Sequence, residues 1–136
     1  MVVLAKRYGA GPVSISTIAQ ESSISYAYLE QLIAPLKRAG LVVIRRGAAG
    51  GYQLARSPGE TGIGAIYRAM EGPIAPMDCV SEDIDLQTCP LIPNCETRPV
   101  WIRVRDSIAG TLDSMTLADL VPSPDLAPVS QPALVS

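Results

Sequence analysis

The residues with the most chemical potential in this chain are its three cysteines, which all lie in one segment rich in acids and prolines. Cys79, Cys89 and Cys95 fall within CVSEDIDLQTCPLIPNC, residues 79–95. Thiolates bind zinc and iron–sulfur clusters, and they also react in redox chemistry. Three interpretations are open at this point: metal ligands, redox thiols, or ordinary small side chains in a loop.

The spacing of the cysteines favours some metal sites over others. Nine residues separate the first two cysteines and five separate the last two, whereas four-cysteine zinc sites commonly use close pairs. The chain contains no His, so the usual alternative zinc ligand is missing. Three thiolates would leave structural zinc with an open position. A cluster with one non-cysteine ligand tolerates the pattern better.

The overall composition predicts one small cytoplasmic domain. The 136 residues are 48% hydrophobic, and the odd number of cysteines argues against a disulfide framework. The first residues, MVVLAKRYGAG, are too short and too charged for a signal peptide. No apolar run approaches the roughly 18 residues of a membrane span.

Charge is divided unevenly along the chain. Residues 1–56 hold seven basic and two acidic side chains, whereas residues 57–136 hold four basic and eleven acidic ones. A basic first half indicates a surface for an acidic partner such as nucleic acid, although chance surface charge would give the same count.

The basic half has the pattern of a winged helix-turn-helix. Serines at positions 14, 16 and 25 can cap helices at about 16–22 and 26–39, and an apolar stripe runs along the second helix. Pro35 is expected to kink that helix. Residues 41–46 are β-branched and apolar up to two arginines, residues 47–51 are rich in glycine, and residues 52–54 alternate, which predicts a β-hairpin, the wing.

This arrangement suits double-stranded DNA. The second helix fits a major groove, where Gln31 can bond adenine and Glu30 can accept from the cytosine amine. Arg45 and Arg46 lead into the wing tip, where they can contact phosphates or enter the minor groove. The alternative is a small helical domain whose solvated face happens to be basic.

The remaining segments complete the predicted organisation. The predicted fold class is mainly α with a small β-hairpin wing and a long C-terminal helix. Its amphipathic pattern from Val100 to Leu112 predicts a dimerisation helix, because a two-fold dimer matches a palindromic site. The predicted parts are a winged domain at 1–72, a three-cysteine loop at 73–97, the dimerisation helix at 98–120 and a disordered tail at 121–136.

Several segments together resemble the Rrf2 family of winged-helix transcription regulators, which includes IscR-like and NsrR-like members. The matching segments are SYAYLEQL (25–32), LKRAGLV (36–42), RRGAAGGYQLARSP (45–58), MEGPI (70–74), the three-cysteine loop, VWIRVRDSI (100–108) and LDSMTLADL (112–120). The resemblance implies a dimeric repressor or activator of transcription. It also implies an iron–sulfur cluster, of the 2Fe–2S or 4Fe–4S type, that sets which promoters are bound.

The resemblance also assigns roles to individual residues. It makes Cys79, Cys89 and Cys95 the cluster ligands. It places Tyr28, Glu30 and Gln31 on the face of the recognition helix that meets DNA, and Arg46 in the minor groove. The cluster would report redox, nitric oxide or iron status.

Two features depart from the family pattern. The first gap between cysteines is longer than usual, and Arg98 stands where IscR-like members have a ligating His. The fourth ligand would then be Glu96, Asp83, Asp85 or a residue of a partner chain. In addition, the N-terminus resembles only the last turns of the family's first helix, which predicts a start annotated too late. A longer in-frame start upstream in the gene would support that expectation.

The sequence thus predicts a DNA-binding regulator controlled by a cluster, and not an enzyme. One alternative is a cluster-free DNA-binding regulator that responds through thiol oxidation or a small ligand. A small electron carrier or metalloenzyme is a weaker alternative, because it would leave the basic helix-turn-helix half unexplained.

Overall fold

The structure of the protein is a computed structural model, and it describes residues 1–122. It is mainly helical with a two-stranded antiparallel hairpin, as the sequence predicts. The elements are α1 (Val2–Lys6), α2 (Ile15–Ser22), α3 (Tyr26–Arg38), β1 (Val42–Arg45), β2 (Gly51–Leu54), α4 (Ile63–Glu71) and α5 (Arg98–Asp113).

Serine caps set the start of both helices in the helix-turn-helix. The Ser14 hydroxyl accepts from the Thr17 amide at 3.1 Å and begins α2, and Ser25 accepts from the Tyr28 amide at 3.3 Å and begins α3. Between them Ser23 adopts a left-handed conformation, φ 54°, that turns the chain. Helix α3 continues through Pro35 for one more turn and ends at Arg38.

The core joins the helix-turn-helix to the hairpin. The inner face of α3 buries three aliphatic side chains against α2, both strands and the segment after α5. The buried residues of this core include Leu29, Ile33 and Leu36 of α3, together with Ile18, Val42, Leu54 and Leu117. Because the apolar side of α3 is held in the core, its polar side is exposed to solvent.

The wing has a third partner that the sequence pattern did not reveal. Strands β1 and β2 pair from Val42 opposite Leu54 to Arg45 opposite Gly51. Val13, just before α2, exchanges two backbone hydrogen bonds with Tyr52, both 2.8 Å. This bridge fastens the wing to the start of the helix-turn-helix.

Gly51→Ala is expected to destabilise the wing. A Cβ atom at position 51 would lie 2.4 Å from the Val13 carbonyl oxygen, which belongs to backbone and cannot rotate away. We expect a loss of about 1–3 kcal/mol in the free energy of unfolding, as for other overpacked sites. Urea unfolding measures it. Gly59→Ala is the control, because its Cβ would meet no atom within 4 Å. Equal stabilities for the two variants would contradict the packing described for the bridge.

The end of the chain is described only in part. Val121 packs against the core, whereas residues 123–136, most of the predicted tail, lie outside the described residues. In the part of the chain that the structure covers, no helix combines the length and apolar character needed to cross a bilayer.

Candidate DNA interface and cysteine loop

The predicted base-reading residues all lie on the exposed side of α3. Tyr28 is 55% exposed, and Glu30 and Gln31 are also exposed. Their neighbours Leu29 and Ile33 are buried. Tyr26, at the start of the helix, adds a second exposed aromatic side chain beside them. The helix therefore offers an amide, a carboxylate and two phenol groups to a partner.

The wing places two cations beside that helix. Arg45 ends β1 and Arg46 follows it, and both are exposed. Helix α3 packs directly against β1, so the recognition face and the wing belong to one rigid surface. Gly50 closes the wing tip, because a Cβ there would lie 2.2 Å from the Arg45 carbonyl oxygen.

The three cysteines lie in residues 73–97, which we call the cysteine loop. It contains three short 3₁₀ turns, Asp78–Val80, Ile84–Leu86 and Ile92–Asn94, that lack the period of a longer element. Cys79 is buried in the first turn, and Cys89 and Cys95 are partly exposed. Among residues 1–122, no three Cys, Asp or Glu side chains come close enough together to hold one metal ion.

Cys95 has a hydrogen-bonded thiol. The Thr97 hydroxyl lies 3.4 Å from its Sγ atom, and this hydrogen bond lowers the pKa of the Cys95 thiol. The Thr97 backbone and the neighbouring Arg98 act in the same direction. A lowered pKa favours the thiolate, which is the form that binds metals and attacks oxidants.

Two arginines of α5 hold the cysteine loop by its backbone. Arg98 donates from Nε to the Cys79 carbonyl at 3.1 Å and from Nη2 to the Gln87 side chain at 3.1 Å. Arg105 donates from Nη1 to the Val80 carbonyl, also at 3.1 Å. Arg98, which interrupts the family's ligand pattern, thus has a structural role next to Cys79. Sequence spacing did not indicate these contacts, because they join residues 19 and 25 positions apart.

A third arginine links the loop to the winged domain. Arg68 of α4 donates to Glu82 in the loop (Nε–Oε2 2.9 Å, Nη2–Oε1 2.6 Å). It also donates to Asp113 at the end of α5 (Nη1–Oδ1 2.6 Å, Nη2–Oδ2 3.0 Å). We call these three residues the Arg68 bridge. Its hydrogen bonds lower the pKa of Glu82 to about 2 and raise the pKa of Arg68.

Because of the Arg68 bridge, we expect the stability of the fold to depend on pH in the acidic range. The pKa of Glu82 lies below the ordinary value of 4.5, so its pairing stabilises the fold above that pH and is lost as pH falls toward 2. Between those pH values the stability of the wild-type protein should fall more steeply than that of Glu82→Gln. Urea unfolding at a series of pH values measures both slopes. Parallel profiles would contradict a folded-state role for the Glu82 carboxylate.

The chain matches known regulators along nearly the whole described length. Residues 1–123 match the family model Rrf2, described as an iron-dependent transcriptional regulator. The chain belongs to the Rrf2 family. The resemblance inferred from the sequence is therefore confirmed, and the protein is a DNA-binding transcriptional regulator. Its relatives are named as regulators and not as enzymes.

Two kinds of Rrf2 regulator are among the relatives. The chain is 43% identical over 120 residues to the HTH-type transcriptional regulator CymR of Bacillus subtilis, covering 88% of this chain and 80% of that protein. It is 33% identical over 120 residues to IscR of Serratia proteamaculans, covering 88% and 71%.

Solved structures of the same two kinds share the fold. The structure of B. subtilis CymR, titled the global cysteine regulator, superposes with a TM-score of 0.70 at 46% identity, covering 88% of this chain and 84% of that one. IscR of T. potens superposes with a TM-score of 0.69 at 43% identity, covering 88% and 75%. The winged-helix architecture predicted for the Rrf2 chain is thus confirmed.

Proposed function

We propose that this Rrf2 regulator binds promoter DNA as a homodimer in the cytoplasm, and that an iron–sulfur cluster in the cysteine loop controls the binding. The observation that carries the proposal is the placement of all three thiols of the chain in one loop. That loop is tied by Arg98 and Arg105 to α5 and by Glu82 to α4. The family's description as iron-dependent and the likeness to IscR support it.

The DNA contacts follow from the exposed groups of α3 and the wing. With α3 in a major groove, Gln31 would bond adenine, Glu30 would accept from cytosine, and Tyr28 would reach the sugar–phosphate backbone. Arg45 and Arg46 would follow the adjacent phosphates or the minor groove. In this arrangement α3 would recognise the base sequence, and the wing would add affinity that decreases as the salt concentration rises.

The dimer follows from an apolar stripe on α5. Val100, Val104 and Ile108 repeat at every fourth position, and they are 59%, 37% and 38% exposed. They line a shallow groove together with Arg103 and Ser107. A second copy of the helix would cover this stripe and relate two α3 helices by a two-fold axis, which suits a palindromic site.

The three cysteines fit a cluster by their chemistry but not by their described arrangement. Thiolates are the ordinary ligands of iron–sulfur clusters, and Cys95 is biased toward that form. However, the loop does not bring three ligating groups together in the part of the chain that is described. Cys89 and Cys95 would have to move toward Cys79 for all three thiolates to hold one cluster.

A second candidate function uses the thiols directly. The separation of the three cysteines and the lowered pKa of Cys95 favour a reactive thiol. In that case oxidation of the loop would change DNA binding without iron.

Metal analysis of protein purified without oxygen separates the two candidates. If the cysteines hold a cluster, the protein should be coloured, should contain iron and acid-labile sulfide in equal amounts, and should lose both in Cys89→Ser and Cys95→Ser. Thr88→Ala changes an exposed non-ligand beside Cys89 in the same loop and serves as the control. A colourless protein that takes up neither element on reconstitution would eliminate the cluster and leave the thiol mechanism.

A further inference from the structure

The Arg68 bridge links the cysteine loop to helix α4 directly through side chains. The Arg68 side chain is one-third exposed, and it contacts one carboxylate of the loop and one of α5. Arg98 and Arg105, by contrast, connect the loop to α5 alone. A movement of the loop near Glu82 can therefore reach α4 through Arg68, in addition to the chain connection at Gly72 and the packing of α5 on α4.

Glu82 is well placed to report the position of Cys79. Its Oε2 atom accepts from the Ile74 amide at 2.8 Å, and its own amide donates to the Ile74 carbonyl at 3.1 Å. Between Cys79 and Glu82 lie Val80 and Ser81, which are 0% and 2% exposed. This short buried segment cannot shift without moving the Glu82 carboxylate.

On its other side, α4 contacts the recognition helix. Helix α4 packs against α3, and its residues Ile66 and Met70 lie against the core that holds Leu29 and Ile33. Those buried residues alternate along α3 with the exposed Glu30 and Gln31. A change in the position of α4 is thus transmitted by packed side chains to the helix that faces DNA.

A glycine makes room for the bridge. Gly64 is buried in the first turn of α4, and a Cβ atom there would lie 1.9 Å from Asp113 Oδ1 and 2.7 Å from Arg68 Nη1. Both are ends of flexible side chains, so Gly64→Ala would displace the bridge while leaving the backbone in place. Alanine is also the better helix former.

We propose that Arg68 is a positioning residue that couples the state of the cysteine loop to the orientation of the recognition helix. This inference rests on the proposed control of DNA binding by the loop. It is independent of whether a cluster or a thiol reaction is the natural signal, because both would alter the cysteine loop, and Glu82 of that loop pairs with Arg68. It assigns Arg68 no contact with DNA.

The test compares DNA affinity before and after the loop thiols are alkylated with iodoacetamide. The DNA is a duplex selected by the full-length wild-type protein from a random pool, and fluorescence anisotropy measures affinity. Wild type should change by about fivefold or more, the usual scale of coupling between two sites. Arg68→Gln and Gly64→Ala should lose most of this change while their unmodified affinities stay close to wild type.

Arg105→Gln is the matched control, since it removes an arginine that holds the loop, and the hydrogen bonds of Arg105 in the described residues go to Val80 and Asp106 and not to α4. It should keep the wild-type response. A wild-type response in both Arg68→Gln and Gly64→Ala would overturn the inference and leave the proposed function standing. An equal loss in Arg105→Gln would also overturn it, because general loosening of the loop would then suffice.

A wild-type protein whose affinity is unchanged by alkylation would overturn the inference together with control by the loop. This outcome is observed in the wild-type protein, so it is distinct from the two outcomes that are observed in the variants. If Arg68→Gln does not fold, Gly64→Ala decides between the outcomes, because it disturbs the bridge without a backbone clash.

Discussion

A Val104→Glu protein is expected to be monomeric and to lose most of its affinity for a palindromic DNA site. Val104 stands at the centre of the apolar stripe on α5, between Val100 and Ile108. In a two-fold dimer the substitution would bury two unpaired carboxylates near one another, and each buried charge costs several kcal/mol. Because each protomer of the proposed dimer would read one half-site, a monomer would lose the contribution of the second half-site.

Sedimentation and anisotropy together measure this effect. Gly110→Glu provides the matched control, since it adds the same charge to an exposed position about 120° around the helix from Val104. We expect that control to remain dimeric and to bind DNA normally. A dimeric Val104→Glu protein would show that another surface joins the protomers.

The second large effect is expected for Arg46→Ala. This exposed guanidinium at the wing tip would reach phosphates or the minor groove once α3 is seated, and it contributes nothing to the buried core. Loss of one such contact costs about 1–3 kcal/mol, which corresponds to roughly a fivefold to 150-fold weaker affinity. The dependence of affinity on salt should also become less steep, since fewer counterions are released.

Anisotropy titrations at several salt concentrations, with thermal melting as a check on folding, measure this prediction. Arg7→Ala is the control, because it removes the same charge from an arginine that pairs with Glu21 at the far end of α2. An unchanged affinity for Arg46→Ala, together with normal melting, would remove the wing from the DNA interface.

Local patterns were enough to predict the helices and the hairpin. Ser14 and Ser25 cap the helices in the helix-turn-helix close to the positions expected from the sequence, and α5, at residues 98–113, lies inside the segment 98–120 where the sequence predicts a helix. These features depend on neighbours one to four positions apart, so periodicity and capping residues reveal them. The outward placement of Glu30 and Gln31 follows from the same period.

Contacts between distant segments could not be predicted in this way. Arg68 meets carboxylates 14 and 45 positions away, and Val13 bridges to Tyr52. Neither pairing produces a pattern in the sequence, because charge and β propensity do not specify a partner. The apolar stripe of α5 was predicted as one face, yet the structure divides it: Trp101 and Leu112 are half-buried while Val100 stays exposed.

The most direct test of the account is the affinity of one preparation for its selected DNA with the cluster present and after a chelator has removed it. We expect binding that weakens with salt in both states and an affinity that differs by about fivefold or more between them. Identical affinities in the two states, in protein that demonstrably gained and lost iron and sulfide, would contradict control of this Rrf2 regulator by a cluster in its cysteine loop.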